Sequence, residues 1–334
     1  MSSLLTPKKI ATILLSVLAV MFFVTTQWLI IGTNHSVSPD EAANLLFAER
    51  VAAGKSIAID VPVELAEAGD NGIRPRSTVG MDGRVVPTSF LGVPILYGAV
   101  GWIFGAWIIP HLTSVIAILG AVAWALLIRY LAKSEAIGWL AGALVLVTPG
   151  YWFYTGRALM HNVPFVAFLM IAAWIGIVRP LGKWSAPLAG LTLGIGMTMR
   201  TGEIIWVTAL VASLVVIALI KRLWSLKDVA GFVLAGLVVA ISLGIAQQNV
   251  YGSFFETGYT IQPSYEVSPQ EPPAPPTEVT QANYSGVLGV LFPFGFHERA
   301  IVRNGWNYLI ELPLLYSGVA AAGVLIVVLI AARK

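Results

Sequence analysis

Apolar runs long enough to cross a lipid bilayer recur along this chain, and they restrict it to very few folds. A spanning helix needs roughly 20 mostly apolar residues, and it must satisfy its own backbone because lipid offers no hydrogen-bond partner. The runs are 10–31, 112–132, 136–154, 163–178, 184–221, 229–247 and 311–332, with a further apolar stretch at 90–109. They are continuous and rich in Leu, Ala, Val, Ile and Gly. A membrane β-barrel would show alternating segments of about ten residues instead. Only 11% of the residues are charged and 57% are hydrophobic, where soluble proteins carry about 25% charged residues. The chain is therefore expected to be an all-α polytopic membrane protein. It has no cysteine, which excludes disulfides, thiolate metal ligands and a thiol nucleophile.

The basic residues indicate how these runs thread the bilayer. The stretch 184–221 is too long for one span and is interrupted by Met199-Arg200-Thr201-Gly202-Glu203, so it predicts two helices around a polar turn. The apolar run at 10–31 is longer than a signal-peptide core and lacks a small-residue cleavage site, so it predicts a retained first helix. Suppose 90–109 lies in the interface and does not cross. Then Lys8, Lys9, Arg129, Lys133, Arg179, Lys183, Lys221, Arg222, Lys227, Arg333 and Lys334 all face the cytoplasm, with only Glu135 and Asp228 among the acids. That obeys the positive-inside rule, whereas a crossing 90–109 moves the later clusters outside. The glycines of that stretch, Pro94, and the interfacial aromatics Trp102 and Trp107 also suit a broken membrane-surface helix.

The outcome is about eight transmembrane helices with both termini cytoplasmic. Long outer loops are expected at 32–110 and 248–310, with short outer turns at 154–162 and 199–203. Residues 1–247 form the expected main transmembrane module, 248–310 a second outer loop with a proline-rich segment, and 311–334 the last spanning helix. Loops of this length carry function more often than simple connection.

Polar groups bordering lipid collect on the predicted outer face: Asp40, Glu41, Arg74, Arg76, Arg157, His161, Asn162, Arg200, Glu203, His297, Glu298, Arg299 and Arg303. Such charges are costly unless they pair, or reach water or a ligand. Taken singly, each has an ordinary role. Pro39 suits the first turn of a helix, and Asp40 and Glu41 its positive end. Arg157 and Arg200 can snorkel, Arg200 can pair with Glu203, and His161 suits an interface. Taken together, acids and arginines converge on one mouth of a bundle. Arginine presents paired donors to phosphate, and a carboxylate takes a proton from a hydroxyl or holds a divalent metal. That chemistry suits a transferase using a lipid-phosphate donor, and equally a transporter of an anion. Helix centres almost free of charge, and the absence of an internal repeat, weigh against transport.

The string P-D-E-A-A-N-L-L-F-A-E-R-V-A-A-G at 39–54, after a first helix, resembles the polyprenyl-phosphate-sugar-dependent membrane glycosyltransferases of the GT-C superfamily. The protein-mannosyltransferase and aminoarabinose-transferase-like branch is the nearest in pattern. The stretch T-P-G-Y-W-F-Y-T-G-R-A-L-M-H-N-V-P-F at 148–165 is similar to that family's second outer turn. M-R-T-G-E-I-I-W at 199–206 resembles its Arg-containing turn, and Y-G-S-F-F-E-T-G-Y at 251–259 a segment after its seventh span.

The resemblance implies inverting transfer of a sugar from a polyprenyl-phosphate donor to an acceptor hydroxyl on the extracytoplasmic face. It implies Asp40 as the base, assisted by Glu41, with Arg74, Arg76, Arg200 and Arg157 near the donor phosphate. His161, Asn162, Glu203 and His297 would face sugar or acceptor, and Asp40 with Asn162 a divalent Mg or Mn ion. The lipid chain is expected to enter between 90–109 and the bundle. Where the family often carries an acid in the second outer turn, this chain has His161-Asn162. That departure leaves metal and turnover open. The alternatives are a transporter or flippase for a lipid-linked or anionic substrate, and a non-catalytic lipid-binding member of the family. Neither the sugar nor the acceptor (protein, lipid or glycan) is written in the sequence.

Overall fold

A computed structural model of the chain describes residues 7–33, 38–62 and 77–261, together with Val287 and Val302. Packing divides the chain into two compact units, Met1–Val279 with Asn283–Pro293, and Thr280–Ala282 with Phe294–Lys334. All described residues except Val302 belong to the first unit. The predicted last span at 311–332 and the proline-rich segment lie outside the described residues.

The described chain is mostly helical. Its α-helices are α1 (Pro7–Thr33), α2 (Pro39–Ala52), α3 (Gly92–Phe104), α4 (Leu112–Ala132), α5 (Glu135–Val147), α6 (Pro149–Gly156), α7 (Asn162–Val178), α8 (Ser185–Met199), α9 (Ile204–Ile220) and α10 (Leu226–Tyr251). Among the described residues, three helical stretches are long and apolar enough to cross a membrane: 106–132, 201–220 and 226–251. Helices α5 and α6, bent by 54° at their junction, pass the same test only as a pair, and count as a fourth if the pair forms one span. The break falls at Thr148, whose ψ of 121° is the extended conformation that the following Pro149 imposes. Eight spans are more than these lengths support. Residues 12–28 of α1, α3 and α7 are apolar but shorter.

The stretch 184–221 divides at its polar turn as the sequence predicts, into α8, a 3-10 turn at Thr201–Glu203, and α9. The stretch 90–109 is also broken, at Gly105, where φ is 95° and α3 gives way to a 3-10 turn at Ala106–His111 leading into α4.

The helical class expected from the sequence holds, and the one departure among the described residues is confined to the first long loop. It holds a three-stranded antiparallel sheet of β1 (Ile59–Asp60), β2 (Thr78–Met81) and β3 (Arg84–Pro87), in the order β1-β3-β2. Asp82 and Gly83 join β2 to β3 with φ of 48° and 70°. Those are the two left-handed positions of a type I′ turn, which Asp-Gly favours. A search for long apolar runs passes over strands this short.

Small residues let the helices meet. A Cβ on Gly190 of α8 would lie 2.0 Å from the carbonyl oxygen of Phe232 on α10, and one on Gly194 would lie 2.9 Å from Val239 Cβ. Two small residues one turn apart on one face allow close backbone approach, the usual device of membrane helices that gain little from hydrophobic burial. The chain reversals gather two sets of turns at opposite ends of the bundle. One end carries α2, the sheet, and the turns before α7 and α9. The other carries Lys133, Arg179, Lys183, Lys221 and Arg222, with Arg179 Nη2 2.8 Å from Asp228 Oδ1.

Gly190→Ala is expected to destabilise the protein by about 1–3 kcal/mol, because the atom it meets is backbone and cannot rotate aside. Gly150→Ala in α6, with nothing within 4 Å of its new methyl, should leave stability unchanged or slightly higher. Denaturant unfolding of the two variants in micelles measures the difference.

Candidate functional site

The acid pair at the start of α2 splits into two roles. Ser38 caps the helix: its Oγ accepts from the Glu41 N–H at 3.3 Å, and Glu41 Oε2 accepts from the Ser38 N–H at 2.8 Å. This is a capping box, with Pro39 in the first turn. Glu41 is buried and its carboxylate turns back to the helix start, so helix capping accounts for it. Asp40 sits about 100° away around the helix. It is half-buried, and its Oδ1 accepts a hydrogen bond from Ser77 Oγ. Oδ2 makes no hydrogen bond among the described residues. Ser77 is held at φ 60°, in the left-handed region. A non-glycine residue there costs on the order of 1 kcal/mol, and such strain concentrates at working sites.

Asn44, one turn beyond Asp40, ties α2 to the rest of this end. It is fully buried, donates through Nδ2 to the Leu159 carbonyl at 2.9 Å, and accepts from Ser89 Oγ at 2.7 Å. The Leu159 N–H donates in turn to Thr113 Oγ1 of α4 at 3.1 Å, and Thr113 also hydrogen-bonds the Tyr97 hydroxyl at 2.9 Å. Both backbone groups of Leu159, itself left-handed at φ 64°, are thereby pinned. The turn they define delivers His161 and Asn162 at the start of α7.

His161 is 8% exposed, with its ring edge-on to Phe90 at 5.4 Å. Phe90 stacks at a tilt on Tyr259, 4.9 Å away. The segment carrying Tyr259 is fixed by Tyr251, whose hydroxyl reaches the carbonyls of Pro87 at 3.0 Å and Ser89 at 3.3 Å. Gly258 then lies against Thr88 so closely that a Cβ would come within 2.4 Å of its carbonyl carbon. Burial above all, and then the Arg200 charge, pull the His161 pKa from 6.5 down to about 4, against an opposing pull from Asp40. His161 is therefore neutral at neutral pH. Burial, and then Asp40, push the Tyr259 phenol up to about 12, while Arg200 pulls it down.

Arg200 closes the cluster from the turn between α8 and α9. Its Nη1 donates to Asn162 Oδ1 at 2.6 Å, and its Nη2 pairs with Glu203 Oε1 at 2.9 Å. The other Glu203 oxygen accepts from Trp206 Nε1. Arg200 Nε and His161 Nδ1 are buried and have no hydrogen-bond partner among the described residues. Natural proteins rarely leave such polar groups unsatisfied, and each exception calls for an explanation such as a functional role.

Asp40, His161, Asn162, Arg200 and Glu203, predicted from separate segments, thus fall in one place. Glu203 is spent on Arg200 and Trp206, so it holds the arginine in place. Arg157 stacks on the Phe153 ring, 4.5 Å from its centroid, and makes no hydrogen bond to the cluster among the described residues. Arg74, Arg76 and His297 lie outside the described residues. Ser77, Phe90, Tyr259 and Asn44 escaped the sequence-based prediction. Asn44 carried a signal, four residues from Asp40 and so on the same helix face; Ser77 and Phe90 carried none.

No group of three or more His, Asp or Glu suited to a metal ion occurs among the described residues. The pair Asp40 and Asn162 does not fit a divalent cation either, since the Asn162 oxygen already faces a guanidinium. A carboxylate with an open oxygen, a neutral imidazole and a guanidinium with an open Nε can take a proton from a hydroxyl and stabilise an anionic oxygen.

An apolar groove, lined by none of these cluster residues, lies between α7, α8, α9 and α10, with a cavity volume of about 120 Å³. It extends from Val207, one turn beyond Glu203, to Trp224 near the opposite end, past Leu169, Leu193 and Leu214. Helix α3, within the stretch 90–109, packs closely on α2, with Gly98 against Val51 and Ala48. No family model, curated protein or solved structure matches the chain.

The depressed His161 pKa makes stability depend on pH. Between pH 6.5 and about 4 the unfolded chain takes a proton that the folded site refuses, so stability is full above 6.5 and falls as pH drops. The loss attributable to this residue approaches about 3 kcal/mol at pH 4. Unfolding midpoints of wild type and His161→Gln across that window should converge as pH falls.

Proposed function

We propose that the protein is a membrane glycosyltransferase that moves a sugar from a polyprenyl-phosphate donor to an acceptor hydroxyl. The observation that carries this reading is the convergence around His161 of Asp40, whose Oδ2 makes no hydrogen bond among the described residues, and Arg200, whose buried Nε has no partner among them. Asp40 Oδ2 takes the acceptor's hydroxyl proton while Ser77 holds Oδ1 in place. The acceptor oxygen attacks the anomeric carbon from the face opposite the phosphate, the bond from that carbon to the phosphate oxygen breaks, and the configuration inverts. The departing lipid phosphate carries the electron pair, and Arg200 meets its charge. Donors placed in advance where charge develops are the largest catalytic contribution in sites of this kind. No step needs a metal.

In this reading the hydrocarbon chain of the donor follows the apolar groove, which is lined mainly by Leu, Val and Ala side chains and whose α9 lining begins at Val207, one turn beyond Glu203. The proposed topology has eight spans and both termini in the cytoplasm, with the site on the extracytoplasmic face. It is supported by the basic residues gathered at the end of the bundle opposite Asp40.

Purified protein given a labelled polyprenyl-phosphate sugar and a panel of acceptors should form product with inverted anomeric configuration. Asp40→Asn should lower turnover about 100-fold or more while donor binding persists. Unchanged turnover in that variant would sink the assignment of the base. Donor binding without product from any acceptor would favour the non-catalytic lipid-binding alternative, and uptake into sealed vesicles without product would favour transport.

A further inference from the structure

Arg200 is bridged on two sides by groups of different charge. Glu203 supplies a carboxylate to Nη2, and Asn162 supplies an uncharged carbonyl oxygen to Nη1. The guanidinium charge is balanced once, so the trio is neutral while its geometry is that of a doubly anchored arginine. Two buried nitrogens remain without a partner among the described residues, Arg200 Nε and the Nδ1 of His161, the residue preceding Asn162. Both atoms are buried, and His161 as a whole is 8% exposed. A buried polar nitrogen without a partner is costly, and with the imidazole protonated at Nδ1 the two are both donors that call for a ligand oxygen.

We infer that Arg200 Nε and His161 Nδ1 together hold an anionic phosphate oxygen, and that Asn162 is the positioning residue that keeps this site able to accept the charge. The inference rests on the proposed donor only for the identity of the anion. His161 donates from the tautomer protonated at Nδ1, so it contributes direction without adding charge. Asn162 contributes the complementary property. A carboxylate at 162 would hold Arg200 just as firmly, but it would leave the trio net negative at short range from the incoming phosphate. In a partly buried site that repulsion is poorly screened. Phe90, itself stacked on Tyr259, meets the imidazole edge-on and limits how the ring can turn.

The test is calorimetric titration of the full chain in lipid nanodiscs with a short-chain isoprenyl monophosphate, the matching isoprenyl alcohol and inorganic phosphate. Wild type should bind the monophosphate at least about tenfold more tightly than the alcohol, reflecting charge-assisted hydrogen bonds. Asn162→Asp should lose about tenfold or more of the monophosphate affinity and none of the alcohol affinity. Adding Glu203→Gln to Asn162→Asp restores neutrality with both anchors in place, and should bring affinity back to within about threefold of wild type. His161→Phe keeps the ring and removes the donor, and should lose about three- to tenfold.

Competition by inorganic phosphate with the same Asn162→Asp sensitivity would assign the site to free phosphate. Competition by the monophosphate alone would assign it to the lipid form, and either result upholds an anion site. Monophosphate affinity unchanged in Asn162→Asp overturns the inference and leaves the transferase proposal standing. A wild type that does not distinguish monophosphate from alcohol overturns both. If Asn162→Asp does not fold, unchanged affinity in His161→Phe overturns the inference by itself.

Discussion

The turn before α7 depends on one buried side chain, and the arrangement of the site follows from it. Asn44 spends its amide on the Leu159 carbonyl and its oxygen on Ser89. In a fully buried position these bonds face no competition from water, and breaking either would strand a polar group. Because Thr113 takes the Leu159 N–H from the other side, the turn is clamped between α2 and α4. Asp40 therefore sits on the same helix face as the residue that locates His161. The strained φ of Leu159 is sustained by these contacts, and that of Ser77 by its hydrogen bonds with Asp40 and the Thr88 N–H.

A second constraint is electrostatic. The described helix interiors carry almost no charge, so the few ionised groups at this end of the bundle must be balanced locally or meet a ligand. Glu203 balances Arg200, Trp206 holds Glu203, and Asn162 orients the guanidinium without further neutralising it. Burial keeps His161 neutral, so the cluster combines one open carboxylate oxygen with donors that are directional and not fully compensated. That combination differs from a buried structural ion pair, in which every donor and acceptor finds its counterpart.

Much of the site could be read from the chain because charge is rare in it. Against so apolar a background, Asp40, His161, Asn162, Arg200 and Glu203 stood out individually, and the topology placed their segments at one end. The same contrast misled for Glu41 and Arg157. Glu41 closes a capping box and Arg157 stacks on Phe153, uses that adjacency and exposure in the sequence do not distinguish from catalysis. Uncharged contributors stayed hidden. Ser77 and Phe90 look like any loop residues until the sheet and α3 bring them to Asp40 and His161. The sheet itself was announced only by Asp82-Gly83, a local turn signal and not an apolar run.

The sequence by itself determined the membrane setting, the helical character and the polar turn dividing 184–221, because lipid admits so few ways to satisfy a backbone and hydrophobic length is a local property. It also determined the capping of α2, since a cap is settled within four residues. Only the tertiary structure decided which acid of the pair is available, which arginine is aimed inward, and where the apolar groove runs. Those depend on hydrogen bonds between residues 37 to 122 positions apart, such as Ser77 with Asp40 and Ser38 with Met160. No local pattern encodes contacts of that range. They exist because the helices have already packed.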